Sequence, residues 1–373
     1  MLVRDAVVII DFSRAISSGG AEVLQRHNNY GNFLKELSNN QCELIIVGEQ
    51  NLQRYKYEIV DNNLKVLTPK NFGRSPLLSA FEIRKLLVRN NVNPRLFVLG
   101  DPWKSGFGGL ILKTFFYKAI PFQLQIHADL FAVGWKSSSF KNMLKYFFAK
   151  FVISQYSILR FVSTNQSELF QNVKKYRVDI IPVPYHQEQK SWPQKQSSDG
   201  LIFGFFGRLH KDRGTEKLIK LFTEILEMNQ GYQLIIGGDG PERKKVVSHL
   251  LLKFPEQVRM LGQLQSDASG KFWSEIDLLL SLAPFESYGR SIRESIFNSR
   301  PVIAVPSSGV KDLIDEVGNS WVIELDESDS AEDLIKMAIK LVRKEPRESL
   351  PNSFLSPPNH GRDLAKSWLE IID

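Results

Sequence analysis

The sequence predicts an α/β protein of two β/α/β domains in series, facing a cleft. Three observations predict it. Short apolar runs alternate with amphipathic, helix-length segments along most of the 373 residues. The alternation stops once, in a stretch rich in Gln, Ser and Lys between His186 and Gly200, and then restarts. Hydrophobic residues make up 43% of the chain, enough for each half to bury its own core. The expected boundaries are 1–185 for the first domain, 186–200 for a linker, 201–356 for the second domain, and 357–373 for a C-terminal helix that packs back on the first.

The elements follow in order. The N-terminal apolar run is too short for a membrane span, is broken by Arg4 and Asp5 and has no small-residue cleavage site. It reads as a buried strand over Ala6–Ile10. Ala21–Leu37 reads as helix, Cys42–Val47 and Leu96–Leu99 as strands, and the stretch near Gly109–Ala119 as helix. Phe122–Ile126 is a strand, Lys141–Phe151 a helix, and Arg160–Ser163 and Asp179–Val183 short closing strands. After the linker come strand Leu201–Phe206, helix Thr215–Met228 and strand Tyr232–Gly237. A helix over Pro241–Phe254 follows, with Asp239 as its cap and Pro241 in its first turn. Strands Val258–Leu261 and Asp277–Ser281, helix Gly289–Phe297, strand Pro301–Val305 and a terminal helix Asn359–Ile372 complete the pattern. In open parallel sheets, ligands sit beyond the carboxyl ends of the strands, so the cleft between two such domains is the expected site.

Composition narrows the function. The single cysteine, Cys42, excludes a disulfide framework and a multi-cysteine metal site, and fits a reducing compartment. No run is long and uncharged enough to cross a bilayer, so the expected location is cytoplasmic. The net charge of +7 favours anionic partners without choosing among nucleotides, phosphorylated substrates, headgroups and nucleic acid. Asp-x-Asp, a complete P-loop, His-Glu-x-x-His and Gly-x-Ser-x-Gly are all missing, and the six histidines are scattered.

Chemistry concentrates after the strands. From Ser281 to Glu294 a strand ends, a loop follows, and a helix begins near Tyr288–Gly289, where free N–H groups suit a phosphate. Glu286 in the loop and Glu294 in the helix can accept hydrogen bonds from sugar or ribose hydroxyls; equally, they can be solvated acids near a helix start. Arg208 and Arg213 flank a loop and can clamp a diphosphate or simply make a basic surface. Gly237–Glu242 nearly forms a dinucleotide fingerprint, but Arg243 replaces its third glycine, so a tight turn also explains it. In the first half, Gly19 and Gly20 can approach an anion or make a turn, and His127, just past a strand, can bond a substrate or be a satisfied loop residue.

In their order and spacing these pieces resemble the retaining glycosyltransferases of the GT-B fold, often called family 4, which pair two Rossmann-like domains. Glu286 and Glu294 match its paired-glutamate motif; Gly207, Arg208, Arg213 and Gly214 match its Gly-Arg-Leu loop. Gly238, Gly240 and Pro241 match its Gly-x-Gly-Pro turn, and Pro301–Ala304 with Ser307-Ser-Gly-Val its later strand and loop. The resemblance implies that Glu294 holds the ribose, Glu286 the donor sugar, and Arg208 and Arg213 the diphosphate in place of a metal ion. It implies that the backbone of Tyr288, Gly289 and Arg290 holds phosphate and sugar, with Gly238 in the turn beside them. Gly19 and Gly20 would approach the phosphates from the other domain, and His127 the donor sugar. The implied donor is a UDP- or GDP-sugar, with no other cofactor and no metal; the acceptor is a glycan, a lipid-linked or a small molecule. The activity expected is a hexosyltransferase of cell-surface polysaccharide or glycolipid synthesis that retains configuration by front-face attack, without Glu286 as covalent nucleophile. Arg213 stands where lysine is usual, and Ser299-Arg300 where a glycine is common before the strand, so that helix end must close differently.

Other readings are a GT-B nucleotide-sugar epimerase, which the glutamate spacing disfavours, a non-catalytic sugar-nucleotide binder, and a basic nucleic-acid-binding protein, for which no recognition motif is present. From Lys136 to Arg160 five basic residues and interleaved aromatics occur with no acid. The stretch suits an anionic membrane surface, on the inner face of the membrane, or a core helix with snorkelling lysines.

Overall fold

The computed structural model describes residues 4–12, 16, 20–48, 64–69, 75–170, 175–184, 200–264, 269–343, 347, 349–355 and 359–373. The chain runs β1 (Arg4–Ile10), α1 (Gly20–Leu37), β2 (Cys42–Val47), β3 (Leu64–Leu67), α2 (Pro76–Arg89), β4 (Val92–Leu99), α3 (Lys104–Phe115), β5 (Phe122–Ile126), α4 (Phe140–Ile153), β6 (Ile158–Phe161), α5 (Thr164–Glu168) and β7 (Arg177–Ile180). It continues through β8 (Ile202–Phe206), α6 (Thr215–Met228), β9 (Gln233–Gly237), α7 (Arg243–Val246), β10 (Val258–Gly262), α8 (Ser269–Glu275), β11 (Leu278–Ser281), α9 (Arg290–Phe297) and β12 (Val302–Ala304). Last come α10 (Ser308–Val317), β13 (Val322–Glu324), α11 (Ala331–Val342), α12 (Asn352–Leu355) and α13 (His360–Ile372).

The chain folds as two units, Met1–Pro182 with Pro358–Asp373, and Val183–Pro357. The first holds a seven-stranded sheet in the order β3-β2-β1-β4-β5-β6-β7, the second a six-stranded sheet in the order β10-β9-β8-β11-β12-β13. Every pairing is parallel. The strands are buried on both faces, which is why they read as unbroken apolar runs: Ala6 to Ile10 and Leu44 to Val47 are all buried. In the first unit α13 packs on α1, burying Trp368 edge-on to Tyr30. In the same unit α2, α3 and α4 lie side by side, with α3 touching both neighbours. In the second unit the order in which strands are added reverses between the adjacent, parallel strands β8 and β11.

Three local expectations are corrected. The helix placed near Gly109–Ala119 lies at Lys104–Phe115. Asp101 starts it early, accepting bonds from the N–H groups of Trp103 (2.8 Å) and Ser105 (3.3 Å). Its glycines 106, 108 and 109 lie buried inside the helix. The helix expected from Pro241 begins at Arg243 and passes into a π turn at Val247–Leu251. Asp239 does not cap it: its carboxylate accepts from Gly240 N at 2.7 Å and faces Arg243 at 3.5 Å. Within the basic stretch, Arg160 and Tyr156 are not surface groups. Both are buried in the first unit's core, where the Tyr156 hydroxyl donates to the Gly106 carbonyl.

Candidate functional site

The second unit places its candidate residues at the reversal point of its sheet. The loop after β8 carries Arg208 and Arg213; the loop after β11 carries Glu286 and leads into α9. The two loops meet, because the Arg213 guanidinium donates to Glu286 Oε2. The other oxygen, Oε1, accepts from Gly289 N at 3.2 Å. Glu286 is therefore held from both sides, and its side chain is only 13% exposed. Glu294, on the second turn of α9, is 7% exposed and has Arg290 Nη2 at 3.7 Å. Neither acid is a fully exposed surface group: Glu286 bonds the Gly289 N–H at the start of α9, and Glu294 lies one turn further on. Arg208 is exposed at the mouth of the same loop.

The backbone around Tyr288 is fixed from below. Arg293, buried in α9, lies under the Tyr288 ring at 4.4 Å and donates to Glu316 Oε2 at 2.5 Å. Burial pushes the Tyr288 phenol up, and its ring turns inward, so the loop offers backbone here rather than a side chain. From above, the start of α10 closes on the loop: Gly309 N donates to the Glu286 carbonyl at 2.8 Å. A Cβ on Gly309 would stand 2.7 Å from Tyr288 backbone atoms, a distance only glycine permits. Sequence reasoning missed Arg293 and Gly309; the only trace was the Ser307-Ser-Gly-Val match. Gly238 lies where the β9 loop crosses the β8 loop, and its missing side chain first serves that crossing: a Cβ would meet the Gly207 carbonyl oxygen at 1.8 Å.

The first unit places His127 directly after β5. Its Nε2 is 3.1 Å from Gln125 Oε1, which also accepts from Arg160 Nη1 at 3.1 Å. Desolvation, then the Arg160 charge, hold the imidazole well below its usual range. The residue still shows more than a third of its surface, so the direction is what counts: a neutral ring at neutral pH, with an accessible edge. Behind it runs a buried polar chain that the sequence reading missed. Gln125 Nε2 donates to Gln123 Oε1 at 3.4 Å, Trp368 Nε1 to the same oxygen at 3.0 Å, and Gln123 Nε2 to Asp179 at 3.1 Å. The clue was polar residues inside otherwise apolar strands. Gly20 begins α1, whereas Gly19 and most of the 186–200 segment lie outside the described residues.

The structure thus brings Arg213, Glu286, Tyr288, Gly289, Arg290 and Glu294 into one cluster, with Arg208 and Gly238 on the adjoining loops. It is an array of one buried and one largely covered carboxylate, cationic loops and a helix start. Such an array can hold a polyhydroxylated, doubly anionic ligand. Among the described residues no group of three or more His, Cys, Asp or Glu forms a metal-ligand cluster, and no helix is long and apolar enough to cross a membrane.

Comparison with known proteins agrees with this architecture. The chain is similar to the phosphatidylinositol N-acetylglucosaminyltransferase GPI3 subunit of Saccharomyces cerevisiae, at 22% identity over 188 residues, 48% of this chain and 40% of that protein. The match thus spans less than half the length of that relative. An uncharacterized glycosyltransferase of Methanocaldococcus jannaschii is 24% identical over 318 residues, 84% of this chain and 83% of that protein. Among solved structures, the pneumococcal O-GlcNAc transferase GtfA in complex with UDP and GlcNAc superposes with a TM-score of 0.62 at 13% identity, covering 99% of this chain and 97% of that one. The fold, two parallel-sheet Rossmann-like units, is that of the GT-B glycosyltransferases, and residues 186–351 match the family of glycosyl transferases group 1.

Proposed function

We propose that this protein is a retaining, metal-independent hexosyltransferase of family 4 that uses a UDP- or GDP-sugar. One observation carries the reading: the β8 and β11 loops converge so that Arg213 and Glu286 pair beside a helix start that holds a second acid, the buried Glu294. Glu294 lies beside Arg290 on the helix that follows the Glu286 loop, and a carboxylate there suits ribose hydroxyls as an acceptor. Arg208 and Arg213 supply positive charge where a leaving diphosphate gathers negative charge. The Arg213–Glu286 pair is then a resting contact. On donor binding the guanidinium turns to phosphate, and Glu286, still braced by Gly289 N–H, turns to the sugar. Glu286 serves as a hydrogen-bond acceptor rather than as covalent nucleophile, and attack comes from the face that the diphosphate leaves. For the first unit we assign His127 as a substrate contact, its neutral ring fitted to a hydroxyl. The GPI3 relative's name, with its phosphatidylinositol acceptor, supports a glycan or lipid-linked acceptor here.

Thermal-shift screening with UDP-, GDP- and ADP-sugars tests the donor class, since a ligand of the folded state raises Tm. One nucleotide series is expected to stabilise the protein, and Arg208→Ala to lower turnover more than donor binding. EDTA is expected to leave transfer intact. No shift with any nucleotide sugar, or transfer unaffected by Arg208→Ala, contradicts the assignment.

A further inference from the structure

Within the first unit, the outer helices carry an apolar face that no other described residue of that unit covers. On α4 the residues Phe140, Leu144, Phe147, Phe148 and Phe151 are 40–72% exposed, while Ala149, Val152 and Ile153 form its buried side. A helix normally hides such a stripe. The face is wider than one helix. Phe107 of α3 lies 5.6 Å from Phe148, and Phe116, just past α3, lies 4.8 Å from Phe81 of α2. Phe115 on α3 and Leu77, Phe81 and Val88 on α2 are exposed as well. Patches of this extent mark interaction surfaces.

Charge selects the partner. Between Pro102 and Ser167 the sequence has seven lysines and one acid, Asp129, which is buried. Lysines lie on the aromatic rings: Lys145 over Trp103 at 4.9 Å, and Lys136 and Lys150 over Tyr146 at 5.6 and 5.7 Å. Ammonium groups so held flank the apolar stripe as they do in helices lying in a headgroup layer. On α2 the one acid, Glu82, is outnumbered by Arg84, Lys85 and Arg89. A second copy of the chain would bring the same charges together, which disfavours self-association. We infer that the α2–α3–α4 face docks the protein on an anionic lipid bilayer, with the phenylalanines at acyl depth and the lysines on the headgroups. Arg160, buried behind it, takes no part.

The test is co-sedimentation of the full chain with phosphatidylcholine vesicles, with and without phosphatidylglycerol. It needs no nucleotide sugar, so its outcome is separable from the proposed activity. Binding is expected only with the anionic lipid and to weaken as salt rises. Replacing Lys136, Lys141, Lys145 and Lys150 by Gln is expected to weaken it at least ~10-fold. Phe147→Ser with Phe151→Ser is expected to weaken it too, with Tm unchanged because both side chains are exposed. Equal binding to both vesicle types, no binding to either, or binding indifferent to both variants overturns the inference. So does a dimer of the free protein that Phe147→Ser with Phe151→Ser converts to monomer.

Discussion

Ser299 shows how a single residue departs from its neighbours' pattern and is accommodated. It ends α9 at φ +59°, the left-handed conformation that glycine takes without cost. The turn forms regardless: Ser299 N donates to the Ile296 carbonyl at 2.8 Å and Arg300 N to that of Ser295 at 2.8 Å. Asn298 Nδ2 adds a bond to the Glu294 carbonyl at 2.7 Å, and Arg300 Nε anchors on the Trp273 carbonyl at 2.8 Å. Ser299→Gly is therefore expected to stabilise the protein by about 1 kcal/mol, the usual cost of a left-handed residue with a Cβ. Urea melts measure it; a loss of stability would show that the serine side chain does more than fill a turn. The same helix holds Glu294, whose position the sequence made plain through the glutamate spacing. Arg293, one residue earlier, was not readable, because its partners Tyr288 and Glu316 come together only when α10 closes on the loop.

At the scale of elements, strands were easier to read than helices. Cys42–Val47 and Phe122–Ile126 appear as read, since a strand buried on both faces announces itself as an apolar run between turn residues. Helix α3 starts earlier than read because Asp101 caps it ahead of its buried glycines, and α11 was missed although Ser330 and Asp333 form a capping box at its start. The polar chain behind His127 was the least readable part. Gln123 in β5 finds its partner in Trp368, 245 residues away in α13, a pairing that no local pattern encodes. Gln125 is the hub between His127 and Arg160. Gln125→Leu would leave the buried Arg160 Nη1 without that acceptor. It is expected to cost about 1–3 kcal/mol, the range for stranding a buried polar group. Loss of less than about 0.5 kcal/mol in a denaturant melt would show that Arg160 is satisfied by the Ile181 and Pro182 carbonyls alone.

For the whole molecule, the half-buried His27 sets an acid limit. Burial, with the charges of Arg26 and Arg160 adding to it against the Val23 carbonyl, lowers His27 to about 4. The unfolded imidazole titrates near 6.5. Between these values the unfolded chain binds a proton that the folded chain refuses, so stability is full above pH 6.5 and falls as pH drops towards 4. The slope from one such group is at most about 1.4 kcal/mol per pH unit. Urea midpoints at pH 7 and pH 5 are expected to differ in the wild type and to converge in His27→Asn; an unchanged gap would assign the acid loss elsewhere. The fold of both units was readable from the β/α alternation and agrees with the GT-B structures, whereas acceptor choice has no comparable signature in the first unit. The central claim is that Glu294 and the loops around it hold a nucleotide sugar. Calorimetric titration of the wild type and Glu294→Ala with UDP- and GDP-sugars tests it most directly. Saturable binding of one series, weakened at least ~10-fold in the variant, is the predicted result, because a hydrogen bond to a charged group is lost. Equal affinity in the two proteins, or no binding by the wild type, would contradict it.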